Sequence, residues 1–369
     1  MRIQAAVLRG GDLPYAIEDV ELEEPGESQI LVRIVGAGWC HTDLLPRSPG
    51  FLAAPPIVVG HEGAGVVERV GPGVREIRVG DHVVLSYDSC GSCVNCSTAH
   101  TAYCDTFFPR NLSGAGGDGQ VSMTDETGQA VANRWFGQSC FATHSVVPAR
   151  NAVTVDPALR LELLGPLGCG VQTGAGAILH ALRVSAGSSV AVYGVGGVGL
   201  SAVMAARVAH AETIIVVDRN ADRLALAREL GATHTVHATG HGLCEAVRDA
   251  SGGGTQYALD TTGTPEVIAS AVDALRPTGI CGLVGAPRGD LELSSRSLAA
   301  GRTVTGIVEG GVQPQSFIPR LIELWCQGRF PFDKLLTTFA LEDINKAEHA
   351  TLTGAVVKPV LIPSALPAR

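Results

Sequence analysis

Apolar and polar positions along the chain fall into two textures. Over the first 150 or so residues the apolar ones come in short runs broken by Gly and Pro, such as Ile30–Val35, Gly65–Val70 and Asp81–Leu85. Runs of that length between turn residues predict strands of an irregular β-rich domain. Between Asn111 and Trp135 Gly and polar residues dominate, which predicts a long surface loop. From about Val171 strand-like runs (Ser189–Tyr193, Thr213–Val217, Tyr257–Asp260, Ile280–Val284) alternate with helix-like ones (Val198–His210, Ala221–Leu230, Pro265–Leu275). That alternation predicts a parallel sheet built from βαβ units. Past about Ile307 the pattern mixes again, with a helix near Ser316–Gln327 and a strand at Ala355–Leu361 placed to return to the first domain.

The 369 residues exceed one typical domain about twofold, so two cores are expected. The net charge of −9, with no block of basic residues, argues against nucleic acid or an anionic membrane as partner. No signal peptide is expected at the N-terminus. No apolar stretch approaches the roughly 18 to 20 residues that span a bilayer, since the richest, Val190–Ala206, is broken by four glycines. A cytoplasmic setting is therefore expected, in which the ten cysteines are thiols or metal ligands rather than disulfides.

The run Ser189–Tyr193 leads directly into Gly194-Val195-Gly196-Gly197-Val198-Gly199, a small-residue helix follows, and the next strand ends in Asp218, 24 positions beyond Gly194. Strand, GxGxxG, helix and a late acid together are the dinucleotide signature of a Rossmann unit. Gly194 permits the tight turn, Gly196 lets backbone approach the pyrophosphate, and Gly199 lets helix and strand pack closely. Gly197 and Val198 open the helix whose N–H groups face the phosphates. Asp218 can accept from the adenosine ribose hydroxyls and would repel a 2′-phosphate, favouring NAD over NADP, although Arg219 follows it directly.

Two cysteine-bearing groups could hold metal. Cys90, Cys93, Cys96 and Cys104 put four soft ligands into fifteen turn-rich residues, which suits a closed structural zinc site. An iron–sulfur cluster fits less well, because seven residues rather than three precede the last cysteine. The second group is dispersed: Cys40 in Gly38-Trp39-Cys40-His41-Thr42-Asp43, His61-Glu62 between Gly60 and Gly63, and Cys169 in Gly165-Pro166-Leu167-Gly168-Cys169-Gly170. Spacing alone does not join these three, and a single buried Cys is more often a small apolar core residue than a ligand.

From Met1 to about Pro363 the chain resembles the medium-chain zinc-dependent alcohol dehydrogenases. The likeness rests on Gly60-His61-Glu62-x2-Gly65-x5-Gly71-x2-Val74, on the four-cysteine lobe, and on the nucleotide fold in the expected order. Phe136-Gly137-Gln138-Ser139, Leu163–Gly170 and Phe317–Leu324 carry a closer likeness to the aryl- or benzyl-alcohol branch. The resemblance implies an α/β protein: a β-rich GroES-like catalytic domain over 1–171 with a zinc lobe at 88–106, a doubly wound NAD-binding Rossmann domain over 172–307, and a return segment over 308–369. It also implies two zinc ions per subunit and a homo-oligomer, dimeric or tetrameric.

By the same resemblance Cys40, His61 and Cys169 hold a catalytic zinc, with Glu62 behind it or as an alternate ligand. Two cysteines and a histidine are the known zinc ligands of alcohol dehydrogenases, so this set is carried over from the family. Hydride leaves an alkoxide far more readily than an alcohol, and zinc acidifies a bound hydroxyl, so the implied reaction is NAD-linked interconversion of a small-molecule alcohol and its aldehyde. Thr42 matches the hydroxyl that takes the alcohol proton. Leu45 stands where many relatives carry the His that ends this relay, so water or another base must finish it. His41 and Lys358 match cations at the pyrophosphate, Arg223 one near the adenosine ribose, and Thr173 a residue beside the nicotinamide. Val284 is expected as a further cofactor contact, and Ser86, Leu45 and Phe108 as pocket walls. The rivals are a thiol-adduct formaldehyde dehydrogenase, which needs a cation where Phe107-Phe108-Pro109-Arg110 stands, and an inactive NAD-binding or redox-sensing protein.

Overall fold

A computed structural model describes residues 1–240 and 242–364. The chain divides into two compact units: Met1–Cys169 with Gln313–Pro319 and Asp333–Arg369, and Gly170–Val312 with Arg320–Phe332. Residues 308–312 and 320–332, expected with the return segment, fall in the second unit, and the helix Pro314–Cys326 starts in the first unit and ends in the second.

The first unit is organised by the strand Gln29–Gly38. It pairs antiparallel with Gly63–Val70, His144–Pro148 and the late strand Lys358–Ile362, so the tail of the chain completes this sheet. A second sheet contains Arg2–Leu8 and Tyr15–Leu22. The segment Asn111–Trp135, expected as a surface loop, is instead tied into this unit. Met123–Thr124 pairs with Leu22 and Glu21, and Asn111, Met123, Val131, Asn133, Arg134 and Trp135 are buried. Side-chain hydrogen bonds hold it: the Ser122 N–H donates to Asn133 Oδ1 at 3.0 Å, and Arg134 donates to the Val146 carbonyl and to Ser122 Oγ. Buried backbone finds partners in those side chains where a ladder is absent.

The second unit has six strands: β1 (Ser189–Tyr193), β2 (Thr213–Asp218), β3 (His234–His237), β4 (Thr255–Asp260), β5 (Leu275–Leu283) and β6 (Thr303–Gly306). All pairings are parallel, in the order β3-β2-β1-β4-β5-β6. Central strands of such sheets are covered on both faces and read as unbroken apolar runs, and β1 is buried at every position. The helices are α1 (Gly170–Gly176), α2 (Gly197–Val208), α3 (Ala221–Leu230), α4 (Leu243–Ala250) and α5 (Pro265–Asp273). Asn220 caps α3 by accepting from the Asp222 and Arg223 N–H groups, a contact worth about 1 kcal/mol. Among the described residues no helix is long and apolar enough to cross a membrane.

Candidate active site

Cys40, His61, Glu62 and Cys169 all belong to the first unit, and one ligand atom from each lies within 4.8 Å of the others. Cys40 lies two residues past the strand Gln29–Gly38 and opens the short helical turn His41–Arg47. The buried Asp43 in that turn organises the site. It accepts from the Cys40 N–H at 3.1 Å, the Gly60 N–H at 3.0 Å, His61 Nδ1 at 2.8 Å and Trp135 Nε1 at 3.0 Å. With Nδ1 engaged, His61 turns Nε2 toward the sulfurs; that atom is buried and has no hydrogen-bond partner among the described residues. Phe136 stacks on the ring at 4.4 Å, and Gln138 Nε2 donates to the His61 carbonyl at 2.8 Å. Sequence reasoning gave Asp43, Phe136 and Gln138 no role at the metal. The signal available for Asp43 was its place three residues after a ligand, where a carboxylate can cap the turn.

The electrostatics suit a cation. Hydrogen bonding with Cys169 holds the Cys40 thiol well below its usual range against burial, and the charges of Lys358 and His61 act in the same direction. Burial opposes a charge on His61, but the Asp43 carboxylate more than offsets it and raises the ring's basicity, which strengthens Nε2 as a metal donor. Two sulfurs, an imidazole nitrogen with no other partner, and a carboxylate form a soft, mixed set that fits zinc.

Lys358 is buried, with Nζ 2.8 and 2.9 Å from the two Glu62 oxygens and 3.1 Å from the Trp39 carbonyl, contacts that sequence reasoning did not anticipate. Its strand, Lys358–Ile362, pairs with Gln29–Gly38 and so delivers the ammonium behind the ligand cluster. Burial pushes the Glu62 carboxyl up to about 7 even with this partner beside it. Gly38 makes room, since a Cβ there would sit 2.0 Å from Glu62 Oε2.

Thr42 Oγ1 lies 3.7 Å from Cys40 Sγ, and Leu45 is half-buried in the same turn. His41 is exposed, with its ring edge-on to Trp39 at 5.6 Å. Ser86 donates to the Gly168 carbonyl at 2.6 Å, next to Cys169, whereas Phe108 is largely exposed. Arg110 is engaged by Asp88 at 3.1 Å and by Thr106 Oγ1 at 3.0 Å.

Cys90, Cys93, Cys96 and Cys104 form the second group, again with ligand atoms within 4.8 Å. Backbone N–H groups point at the sulfurs: Cys93 and Ser92 donate to Cys90 Sγ at 3.3 and 3.4 Å, and Cys90 donates to Cys104 Sγ at 3.2 Å. Donors of that kind stabilise thiolate, and with Ser92 and Cys93 as the main cause the Cys90 thiol falls to about 5. Cys96 is pushed the other way, to about 12, by desolvation. Four clustered sulfurs with that support fit a closed structural zinc site.

In the second unit the glycine loop joins β1 to α2. Gly194 is left-handed (φ 82°), and a Cβ there would meet Thr261 Oγ1 at 2.5 Å. A Cβ on Gly199 would lie 1.9 Å from the Gly194 carbonyl oxygen, so helix and loop could not close. Gly196 differs: its added Cβ would meet only Arg223, at 3.9 Å, so the missing side chain leaves open space rather than relieving a clash. That is the cradle a pyrophosphate needs. Asp218, at the end of β2, accepts from the Val195 N–H and the Asn220 N–H, both at 2.8 Å, which fixes its carboxylate beside the loop. Gly197 and Val198 begin α2, and the Val284 N–H donates to the Asp260 carbonyl at 3.0 Å just past β5. Thr173 is buried in α1.

Metal-ligand clusters in a β-rich unit and a dinucleotide signature on a parallel sheet define a zinc-dependent dehydrogenase. Residues 26–157 match the model described as alcohol dehydrogenase GroES-like domain, and residues 197–325 match that of zinc-binding dehydrogenase. The chain is 47% identical to a geraniol dehydrogenase of Castellaniella defragrans over 97% of both chains. Among solved structures it is similar to an alcohol dehydrogenase zinc-binding domain protein from Burkholderia ambifaria (47% identity, TM-score 0.95, 99% and 100% of the chains). It is also similar to benzyl alcohol dehydrogenase from Acinetobacter calcoaceticus (41%, TM-score 0.95, 99% and 100%). The chain belongs to the medium-chain zinc-dependent alcohol dehydrogenase family and is an oxidoreductase of the alcohol dehydrogenase type.

Proposed function

We propose that this protein oxidises a hydrophobic primary alcohol, aromatic or allylic, to the aldehyde with NAD as acceptor, and runs the reverse reaction when the aldehyde is in excess. The carrying observation is the convergence of Cys40, His61 and Cys169, with Glu62 and Lys358 behind them. A zinc ion held by those three residues supplies the Lewis acidity that lowers the hydroxyl pKa of the alcohol. Thr42 Oγ receives the alcohol proton, and its position two residues after Cys40 keeps that acceptor next to the ligand sulfur. With Leu45 downstream, solvent takes the proton onward.

The cofactor lies along the carboxyl edge of the parallel sheet, as dinucleotides do in this fold. Asp218 and Arg223 hold the adenosine ribose, Gly194, Gly196, Gly197, Val198 and Gly199 the phosphates, and Thr173 and Val284 the nicotinamide. His41 and Lys358 are the cations for the pyrophosphate, Lys358 from its place beside Glu62. The cysteine lobe carries a second zinc in a structural role. We further propose a cytoplasmic homo-oligomer. None of the ten cysteines is in a disulfide, and among the described residues β6 pairs with a single neighbour, leaving an edge that needs cover.

The engagement of Arg110 with Asp88 argues against the thiol-adduct reading. The test is a spectrophotometric screen of NAD reduction with benzyl alcohol, geraniol, ethanol and formaldehyde plus thiol. Turnover with the first two is expected, with loss of turnover but retained NAD binding in Cys169→Ser. Reduction confined to the formaldehyde–thiol pair refutes the substrate class, and near-normal activity of Cys169→Ser after zinc removal refutes the mechanism.

A further inference from the structure

Gly194 has two reasons to be glycine, and the second involves a residue that the reaction above does not use. Its φ of 82° is the first. The second is that Thr261 Oγ1 takes the space a Cβ would fill, at 2.5 Å from it. Thr261 directly follows β4, the neighbour of β1 on the side away from β2. Its N–H donates to the Tyr193 carbonyl at 2.9 Å, and its hydroxyl lies 2.9 Å from both the Tyr193 and the Gly194 carbonyl oxygens. Since the Tyr193 oxygen already accepts from the N–H, the one hydroxyl proton is what Thr261 offers to Gly194. The side chain is β-branched and so has few rotamers. Its turn is fixed by the buried Asp260, which accepts from Thr262 Oγ1 at 2.7 Å and from the Gly263 N–H at 2.8 Å.

That bond has a consequence on the far side of β1. A trans peptide is planar, with its C=O and N–H pointing in opposite directions. Holding the Gly194 carbonyl toward Thr261 therefore aims the Val195 N–H away from it, and this N–H donates to Asp218 Oδ2 at 2.8 Å. Hydroxyl, peptide and carboxylate form one hydrogen-bonded line across the end of the sheet, from β4 to β2. Bonds in such a line reinforce one another. Glycine supplies no side chain to resist rotation of the peptide that follows it, so the anchor at Thr261 matters. The other oxygen of Asp218 is held separately, by the Asn220 N–H at 2.8 Å.

We propose that Thr261 is a positioning residue for the adenosine half of the cofactor: through the Gly194–Val195 peptide, its hydroxyl sets the Asp218 carboxylate where it meets the ribose. The inference rests on the reading that NAD binds along this sheet with Asp218 at the adenosine ribose. The zinc-loaded enzyme and its Thr261→Val, Thr261→Ala and Thr261→Ser variants are titrated by calorimetry with NAD+ and with ADP-ribose, which lacks the nicotinamide. Val and Ala both lose the hydroxyl, the first keeping the branched shape and the second asking for no extra room; Ser keeps the hydroxyl. Expected is a rise in Kd of about 3- to 10-fold in the Val and Ala variants, equal for the two ligands, with Ser within about twofold of the parent. In an Asp218→Ala background, Thr261→Val should add less than about twofold. Unchanged Kd in both Val and Ala variants, weaker NAD+ with unaffected ADP-ribose, or a full Thr261→Val effect in the Asp218→Ala background each overturns the inference while leaving NAD binding intact. An Asp218→Ala variant that binds NAD+ as the parent does overturns the ribose reading, and the inference with it. A parent enzyme that binds neither ligand overturns the NAD reading itself.

Discussion

Replacing Lys358 by Met tests whether the ion pair behind the ligand cluster is needed to hold it. The ammonium donates to both Glu62 oxygens at 2.8 and 2.9 Å, and both side chains are buried. Methionine roughly fills the volume but strands a carboxylate that burial has already pushed to about 7. Removing one partner of a buried pair costs about 3 to 5 kcal/mol, because the remaining charge has no compensation. Spread over a unit of this size, that is a fall in melting temperature of about 6 to 20 °C. Glu62→Gln in the same background removes the stranded charge, so the double variant should recover much of the loss. The assay is thermal unfolding of parent, both single variants and the double variant at pH 8, read alongside zinc content. If Lys358→Met melts within about 2 °C of the parent, the pair does not support the cluster. If the double variant is no more stable than Lys358→Met, the coupling is absent.

Four further outcomes follow from the structure. Thr42→Val should lower kcat by about 10²- to 10⁴-fold with little change in Kd for NAD+, and unchanged kcat would remove Thr42 from proton transfer. If the proposed zinc assignment holds, Cys93→Ser should lower bound zinc by one per chain by elemental analysis and speed proteolysis around the exposed Val94. Asp218→Ala should weaken NAD+ binding by at least about 10-fold and bring NADP+ closer to parity, whereas unchanged selectivity would mean the acid does not read the ribose. His144 supplies a pH test. Burial lowers its pKa from 6.5, only partly countered by Glu68 at 3.2 Å. The folded state therefore resists protonation, so this residue's contribution is present above pH 6.5 and is lost as pH falls below it. His144→Gln should flatten the decline in melting temperature between pH 6.5 and 5, and an unaltered slope would show that the histidine is not its source.

Much of the cofactor unit was legible in the sequence, for local reasons. Ser189–Tyr193 is a buried apolar strand bounded by turn residues, and Ala221–Leu230 carries its own Asn220 cap, so both segments occur where the pattern places them. The signals were weaker where partners are remote. Asn111–Trp135 has the composition of a loop, yet Arg134 donates to the Val146 carbonyl and Met123–Thr124 pairs with Leu22 and Glu21, partners that lie outside the segment. Lys358 reads only as a cation for a cofactor until the sheet brings it to Glu62, 296 positions earlier. Cys40, His61 and Cys169 were joined by family likeness rather than spacing, and their convergence is a property of the folded sheet. Asp43 went unassigned because a lone acid in a turn has many ordinary explanations.

Asp43 also bears on how the metal is exchanged. Four nitrogens from distant parts of the first unit, those of Cys40, Gly60, His61 and Trp135, converge on its carboxylate. The imidazole is thus oriented by the polypeptide and needs no ion to aim it. An ion leaving such a seat disturbs little behind it, and a different divalent ion arriving finds the same bearings. Cobalt should therefore be accepted by the same residues without remodelling the chain, and its visible spectrum would report directly on that seat.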